Sequence, residues 1–123
     1  MQAQPRRRSF TPAQRLHNKA EFDRVYRDAR RFADALFAIS VRSNTNSTPR
    51  LGLSIAARIV GNAVRRNLVK RLIRESFRQH QHDLPAVDIV VNARSGARNA
   101  DNVSIVRSLE RHWQAVSKQC AQS

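Results

Sequence analysis

Within residues 61–78, cations recur at every fourth position: Arg66, Lys70, Arg74 and Arg78. Arg65, Asn67 and Arg71 stand among them. On a helix, positions four apart share a face. Val64, Leu68, Val69, Leu72 and Ile73 then occupy the other half, dividing the segment into an aliphatic and a cationic side. Arg65 falls on the aliphatic half, but in the first turn, from which a long side chain reaches water. An ordinary exposed face mixes signs, because like charges at this spacing cost about as much as opposite ones gain. Glu75 is the only acid in the segment, and the wheel sets it opposite Arg66. The column therefore suits a polyanion that neutralises it. Guanidinium forks hold phosphate oxygens in two-point contacts and stack on bases. The Asn67 amide, donor and acceptor at once, can read a base edge or a ribose hydroxyl. If about four phosphates are engaged, the log–log salt slope of binding is near −3 to −4.

Other reactive groups are sparse. A protein that cleaves phosphodiesters with its own metal ions needs clustered carboxylates, and the nine acids are scattered. His80 and His82 share a polar stretch, and His17 and His112 stand alone, which leaves no evident acid–base pair. With Cys120 they do not complete a zinc site. The chain is thus expected to carry no catalytic residue and no metal ligand. Arg94 and Arg98 flank Gly96 and form a candidate phosphate clamp in a loop. Phe22 and Tyr26, one helical turn apart, either pack a helix or stack on bases. Trp113 shares a face with Leu109 and Val116 and belongs to a core.

The elements that position these groups follow from periodicity. Residues 1–15 form a basic tail containing Arg6-Arg7-Arg8, and residues 120–123 a short second one. Asn18 caps a helix, with Glu21 at capping-box spacing, and Phe22, Val25, Tyr26 and Ala29 form its apolar face. Residues 35–42 alternate as a strand, with Phe37, Ile39 and Val41 on one side and Ala38, Ser40 and Arg42 on the other. Residues 43–49 form a loop, and residues 51–55 a second strand expected to close a hairpin with the first. Residues 87–93 are a third strand. Asp101 or Asn102 caps a last helix carrying Ile105, Leu109, Trp113 and Val116.

The length of 123 residues allows one domain, here residues 16–119. Twenty-three Lys and Arg against nine acids give a net charge of +14, a field that draws nucleic acid. One cysteine excludes an internal disulfide. No apolar run approaches a membrane span. The Arg-rich start lacks the apolar stretch of a secretory signal and resembles an organellar transit segment only in its want of acids. A cytoplasmic RNA-binding protein is expected. The charge alone equally permits a structural protein of the ribosome, while a helix-turn-helix reader of DNA lacks its preceding short helix.

Arg66-Asn67-x-x-Lys70-Arg71-x-x-Arg74-Glu75 resembles the signature of the protein component of bacterial ribonuclease P. Phe22-x-x-Val25-Tyr26 resembles that family's first-helix aromatic pair, residues 50–56 its second strand and residues 84–91 the entry to its last strand. The order is the same over residues 16–117. Leu68 replaces a frequent arginine, Ala57 and Arg58 a pair of lysines, and Arg94 and Ser95 another pair. Ala38 and Ser40 stand where some relatives carry an aromatic residue. The resemblance implies a single-domain α/β sandwich: a four-stranded sheet, about three helices and a left-handed β-α-β crossover. It implies a subunit of a ribonucleoprotein endonuclease that binds the catalytic RNA and the single-stranded 5′ leader of precursor tRNA, with no obligate protein partner and no membrane. Magnesium ions, held mainly by RNA and substrate, would serve the cleavage. RNA contacts fall to Arg58, Arg65, Arg66, Asn67, Lys70, Arg71 and Arg74. The leader cleft falls to Phe22, Tyr26, Ala38, Ser40 and Ser54, and a phosphate loop to Arg94 and Arg98.

Overall fold

The computed structural model describes residues 11–45 and 47–120. Helix α1 is Lys19–Arg27, capped by Asn18, whose Oδ1 accepts from the Glu21 N–H at 2.9 Å. The Glu21 carboxylate turns back to the His17 N–H at 2.8 Å, one residue before the cap, instead of to Asn18 itself. Strand β1 is Arg30–Ala33, β2 Phe37–Ser43 and β3 Arg50–Ser54. A single turn, α2 (Ala57–Val60), precedes α3 (Ala63–His80), β4 (Val87–Ala93) and α4 (Asn102–Cys120). Asn62 caps α3 by accepting from the Arg65 N–H at 3.0 Å. Of the two candidate caps of α4, Asp101 is used, accepting from the Ser104 N–H at 2.7 Å. Three long helices are present as expected, and α2 is an addition.

The sheet runs β1-β2-β4-β3, with β3 parallel to β4 and the other neighbours antiparallel. The expected β2–β3 hairpin does not form, because β4 lies between the two strands. The reason is in β4: Val87 to Val91 are buried on both faces, so this run needs a neighbour on each side. β3 and β4 are joined through α2 and α3, a β-α-β connection. β1 escapes periodicity because Arg30-Arg31-Phe32-Ala33 has one large apolar residue. It is an edge strand, and exposed cations suit an edge.

One side of the sheet holds the main core: Phe37, Ile39, Val41, Leu51, Val87, Ile89 and Val91 meet α3 and α4. Ile105, Leu109, Trp113 and Val116 of α4 are all buried there. Trp113 packs edge-on to Phe77 and donates its indole N–H to Ser76 Oγ at 2.8 Å. On the other side, Leu16, Val25 and Val90 form a smaller cluster under Phe22 and Tyr26. Asp34, in the β1–β2 turn, ties that turn to α4. Its carboxylate accepts from Ser108 Oγ at 2.5 Å and from the N–H groups of Leu36 and Phe37, both at 2.9 Å, with His112 Nε2 at 3.3 Å.

Residues 11–15 are not a tail. Pro12–Gln14 is a helical turn, with Gln14 Oε1 accepting from the Thr11 N–H at 3.1 Å. Arg15 bridges to Leu51, and the Leu16 N–H donates to the Leu51 carbonyl at 2.9 Å, so the segment covers the open edge of β3. The buried Gln14 amide donates to Gln81, just beyond α3. Residues 1–10 and 121–123, where the rest of the expected tails fall, lie outside the described residues. Among the described residues no helix is long and apolar enough to cross a membrane.

Candidate nucleic-acid interface

Helix α3 is rotated from its expected orientation. Val69, Ile73, Ser76 and Phe77 are its buried residues, whereas Val64 is 79% exposed. The buried stripe is turned by roughly a fifth of a revolution from the aliphatic half of the wheel. Phe77 causes this: its ring, seated on Trp113, outweighs the smaller Val64, which projects from the first turn. The cations redistribute accordingly. Arg66 becomes half-buried, and its Nε donates to the Ile55 carbonyl at 2.7 Å, which orients the fork at the end of β3. Lys70 is half-buried as well. Burial, and then the charges of Arg66 and Arg74, push its ammonium below the ordinary lysine value. Asn67, Arg71 and Arg74 are exposed.

The rotation also brings Glu75 into the same exposed face. It pairs with Arg78, whose Nε lies 3.2 Å from Glu75 Oε2, and Gln79 Nε2 donates to Oε1 at 3.2 Å. The expected column of four therefore shortens, since Arg78 is matched by an acid. Arg66, Lys70, Arg71 and Arg74 have no carboxylate within ion-pair distance among the described residues. Several of the other acids are engaged elsewhere. Asp88 takes both ends of the Arg50 fork at 2.8 and 2.7 Å, and Glu21 a third contact at 3.1 Å. These bonds raise the Arg50 guanidinium above its usual value.

Arg15, expected in the tail, extends the cationic surface. Burial, and then Arg15 beside it, lower the Arg74 guanidinium from its ordinary value. Arg15, Asn67, Arg71, Arg74, Glu75 and Arg78 line an open hollow of about 500 Å³. A neighbouring hollow of about 180 Å³ shares Arg15 and Arg74 with it and adds Lys70, Phe22 and the surface of β3. The cationic surface of α3 thus runs on to Phe22 at the wall of the α1 cleft. The signal for Arg15 was Thr11-x-x-Gln14, a capping-box spacing that marks an ordered turn in the supposed tail.

The α1 side of the sheet presents three rows across β2, β4 and β3. Arg42, Asp88 and Arg50 form a charged row; Ser40, Val90 and Gly52 a covered row; Ala38, Asn92 and Ser54 an open one. Ser40 is 5% exposed, so its expected place on the cleft surface is corrected: α1 packs over the row it occupies. Phe22 lies directly on Gly52, where a Cβ would come 2.7 Å from the ring. Its packing role and its place at the cleft wall therefore coexist. Tyr26 Oη donates to Asn92 Oδ1 at 3.2 Å and joins the open row. Asn92 is a cleft residue that the sequence reading missed. Only the strand register places it between Ala38 and Ser54.

Arg65 does not face solvent as expected. Its Nη2 donates to the carbonyls of Ala97 and Ala100 at 2.7 and 2.6 Å. Arg94 Nη1 donates to the Asp34 carbonyl at 3.1 Å, so the proposed clamp is partly committed to the fold, while Arg98 is exposed. Arg58 is exposed on α2, which packs against the Ser95–Ala97 turn. Among the described residues no three His, Cys, Asp or Glu side chains gather to hold a metal ion.

A sheet layered between helices, with unpaired guanidinium groups running into an aromatic-walled cleft, defines an RNA-binding α/β protein. The Ribonuclease P family model matches residues 10–117. The ribonuclease P protein component of Thioalkalivibrio sulfidiphilus is 42% identical over 112 residues, which are 91% of this chain and 93% of the relative. The solved RNase P protein of Staphylococcus aureus superposes with a TM-score of 0.78 at 36% identity, covering 85% of this chain and 95% of that one. That of Thermotoga maritima gives 0.75 at 26% identity, over 83% and 96%. The chain belongs to the ribonuclease P protein component family. It is a protein subunit that works in tRNA processing, with an RNA subunit as its partner.

Proposed function

We propose that α3 and Arg15 bind the RNA subunit, and that this RNA, with magnesium ions held by RNA and substrate, is the catalyst. The cleft between α1 and the open row holds the single-stranded 5′ leader of precursor tRNA. Phe22 stacks on leader bases, and Ala38, Asn92 and Ser54 let the strand approach the sheet. Cleavage then yields the mature tRNA 5′ end in the cytoplasm. The observation that carries this reading is the absence of carboxylate partners on Arg66, Lys70, Arg71 and Arg74 among the described residues. The protein's part is to neutralise phosphates and position the leader, which lowers the magnesium demand of the RNA. The test is reconstituted cleavage of precursor tRNA by a bacterial ribonuclease P RNA at low magnesium. Cleavage is expected only with RNA and protein together, and Phe22→Ala is expected to weaken binding of leader-bearing but not leaderless tRNA. Cleavage by the protein alone, or equal loss for both tRNAs, would overturn the reading.

A further inference from the structure

The loop from β4 to α4 is fastened in two halves by different parts of the molecule. Its first half rests on the β1–β2 turn. The Arg94 N–H donates to the Leu36 carbonyl at 2.8 Å, and the Gly96 N–H to the Ala35 carbonyl at 3.1 Å. Gly96 sits so close that a Cβ would lie 2.3 Å from the Ala35 oxygen. Arg94 adds its guanidinium bond to the Asp34 carbonyl. Its second half, residues 98–100, has a local bond from the Arg98 N–H to Ser95 at 3.1 Å. Ala100 packs against the main core, and Arg65 supplies the hydrogen bonds that tie this half to α3. One Nη2 group spends both hydrogens on the carbonyls of Ala97 and Ala100, which bracket Arg98 in the chain. Arg65 and Arg66 are neighbours on α3, and Arg66 is itself oriented by the Ile55 carbonyl.

We propose that Arg65 is a positioning residue: its guanidinium fixes Arg98 relative to Arg66, so that loop and helix present their cations to RNA phosphates at a set spacing. Arg65 acts on RNA through Arg98 and makes no phosphate contact of its own. This rests on the RNA-binding reading above. A charged donor bonded to two carbonyls holds its partners more firmly than neutral bonds do. An exposed arginine on an unfastened loop loses conformational freedom on binding, and that cost is avoided when the loop is held beforehand.

The test is a double-mutant cycle on binding of the full chain to a ribonuclease P RNA transcript, with Arg65→Ala, Arg98→Ala, Arg94→Ala and the pairs. Arg98→Ala is expected to weaken binding about fivefold near 0.15 M salt, the worth of one phosphate contact. Arg65→Ala is expected to cost about two- to fivefold, and the Arg65/Arg98 pair to lose no more than about twofold beyond Arg98→Ala alone. The Arg65 and Arg94 losses are expected to multiply, since Arg94 is held from the other side. Hydrogen exchange at residues 98–100 is expected to quicken at least tenfold in Arg65→Ala, with the Gly96 amide unchanged. Multiplying losses for Arg65 and Arg98, no loss in Arg65→Ala or in Arg98→Ala, or unchanged exchange would each overturn the proposal. Should Arg65→Ala fail to fold, Arg65→Met takes its place in the same cycle. Failure of the wild-type chain to bind the transcript would instead refute the RNA-binding reading, while the exchange measurement still decides whether Arg65 holds the loop.

Discussion

Replacing Arg71 and Arg74 by alanine tests the phosphate surface quantitatively. Five cations, Arg15, Arg66, Lys70, Arg71 and Arg74, line α3 and its flank; Arg78 is discounted because Glu75 holds it. Each phosphate neutralised contributes about −0.7 to −0.9 to the log–log salt slope, so the wild-type slope is expected near −3.5 to −4.5. The double variant keeps three cations, and its slope is expected near −2 to −3. The two lines converge toward 1 M salt, so the loss near 0.15 M is about twentyfold. Both side chains are exposed, and their removal is expected to leave stability within about 0.5 kcal/mol. The assay is filter binding of ribonuclease P RNA over a salt series, with thermal melts as the folding control. Parallel lines for wild type and variant would refute the reasoning, because they would show that neither guanidinium displaces counterions.

Glu75→Gln is expected to tighten RNA binding about threefold in the same assay, because it removes the one acid lining the larger hollow and releases Arg78. Asp34 gives a pH signature. Burial opposes its charge, but the bonds from Ser108, Phe37 and Leu36 and the nearby His112 prevail and lower it from 3.8 to about 2. A carboxylate with a depressed folded-state value stabilises the fold above its ordinary value. That stability is lost as pH falls from about 4 through about 2 and amounts to about 2 kcal/mol. Asp34→Asn is expected to flatten that part of the stability–pH curve, measured by urea unfolding. Gly52→Ala must displace the Phe22 ring. It is expected to cost about 1 kcal/mol of stability and to weaken binding of leader-bearing tRNA more than leaderless tRNA in a competition assay.

Much of this architecture was legible because it rests on local rules. Asn18 and Asp101 cap the helices that their types and positions announce, and Ile105, Leu109, Trp113 and Val116 face the core as their spacing requires. What was not legible depends on partners distant in the chain. Alternation identified β2 and β3 as strands, but only burial of both faces of β4 decides that β4 separates them. β1 has too little apolar content to announce itself and is recruited by the hydrogen-bonding edge of β2. The cationic stripe was visible, yet its rotation was not, because Phe77 takes its weight from Trp113 on another helix. Arg65 looked like one more phosphate ligand, since nothing near it in sequence indicates the carbonyls of Ala97 and Ala100. Ser40 differs from Ala38 in exposure only because α1 covers one row of the sheet and leaves the next open.

Photocrosslinking tests most directly where RNA lies. A photoreactive amino acid placed at position 64, where the valine side chain projects from the first turn of α3, reports on the proposed RNA face. The same group at position 114, exposed on α4, is the control. Crosslinks to ribonuclease P RNA are expected from position 64 and not from position 114. Equal labelling from both, or labelling from 114 alone, would show that the unpaired guanidinium groups of α3 are not where RNA binds.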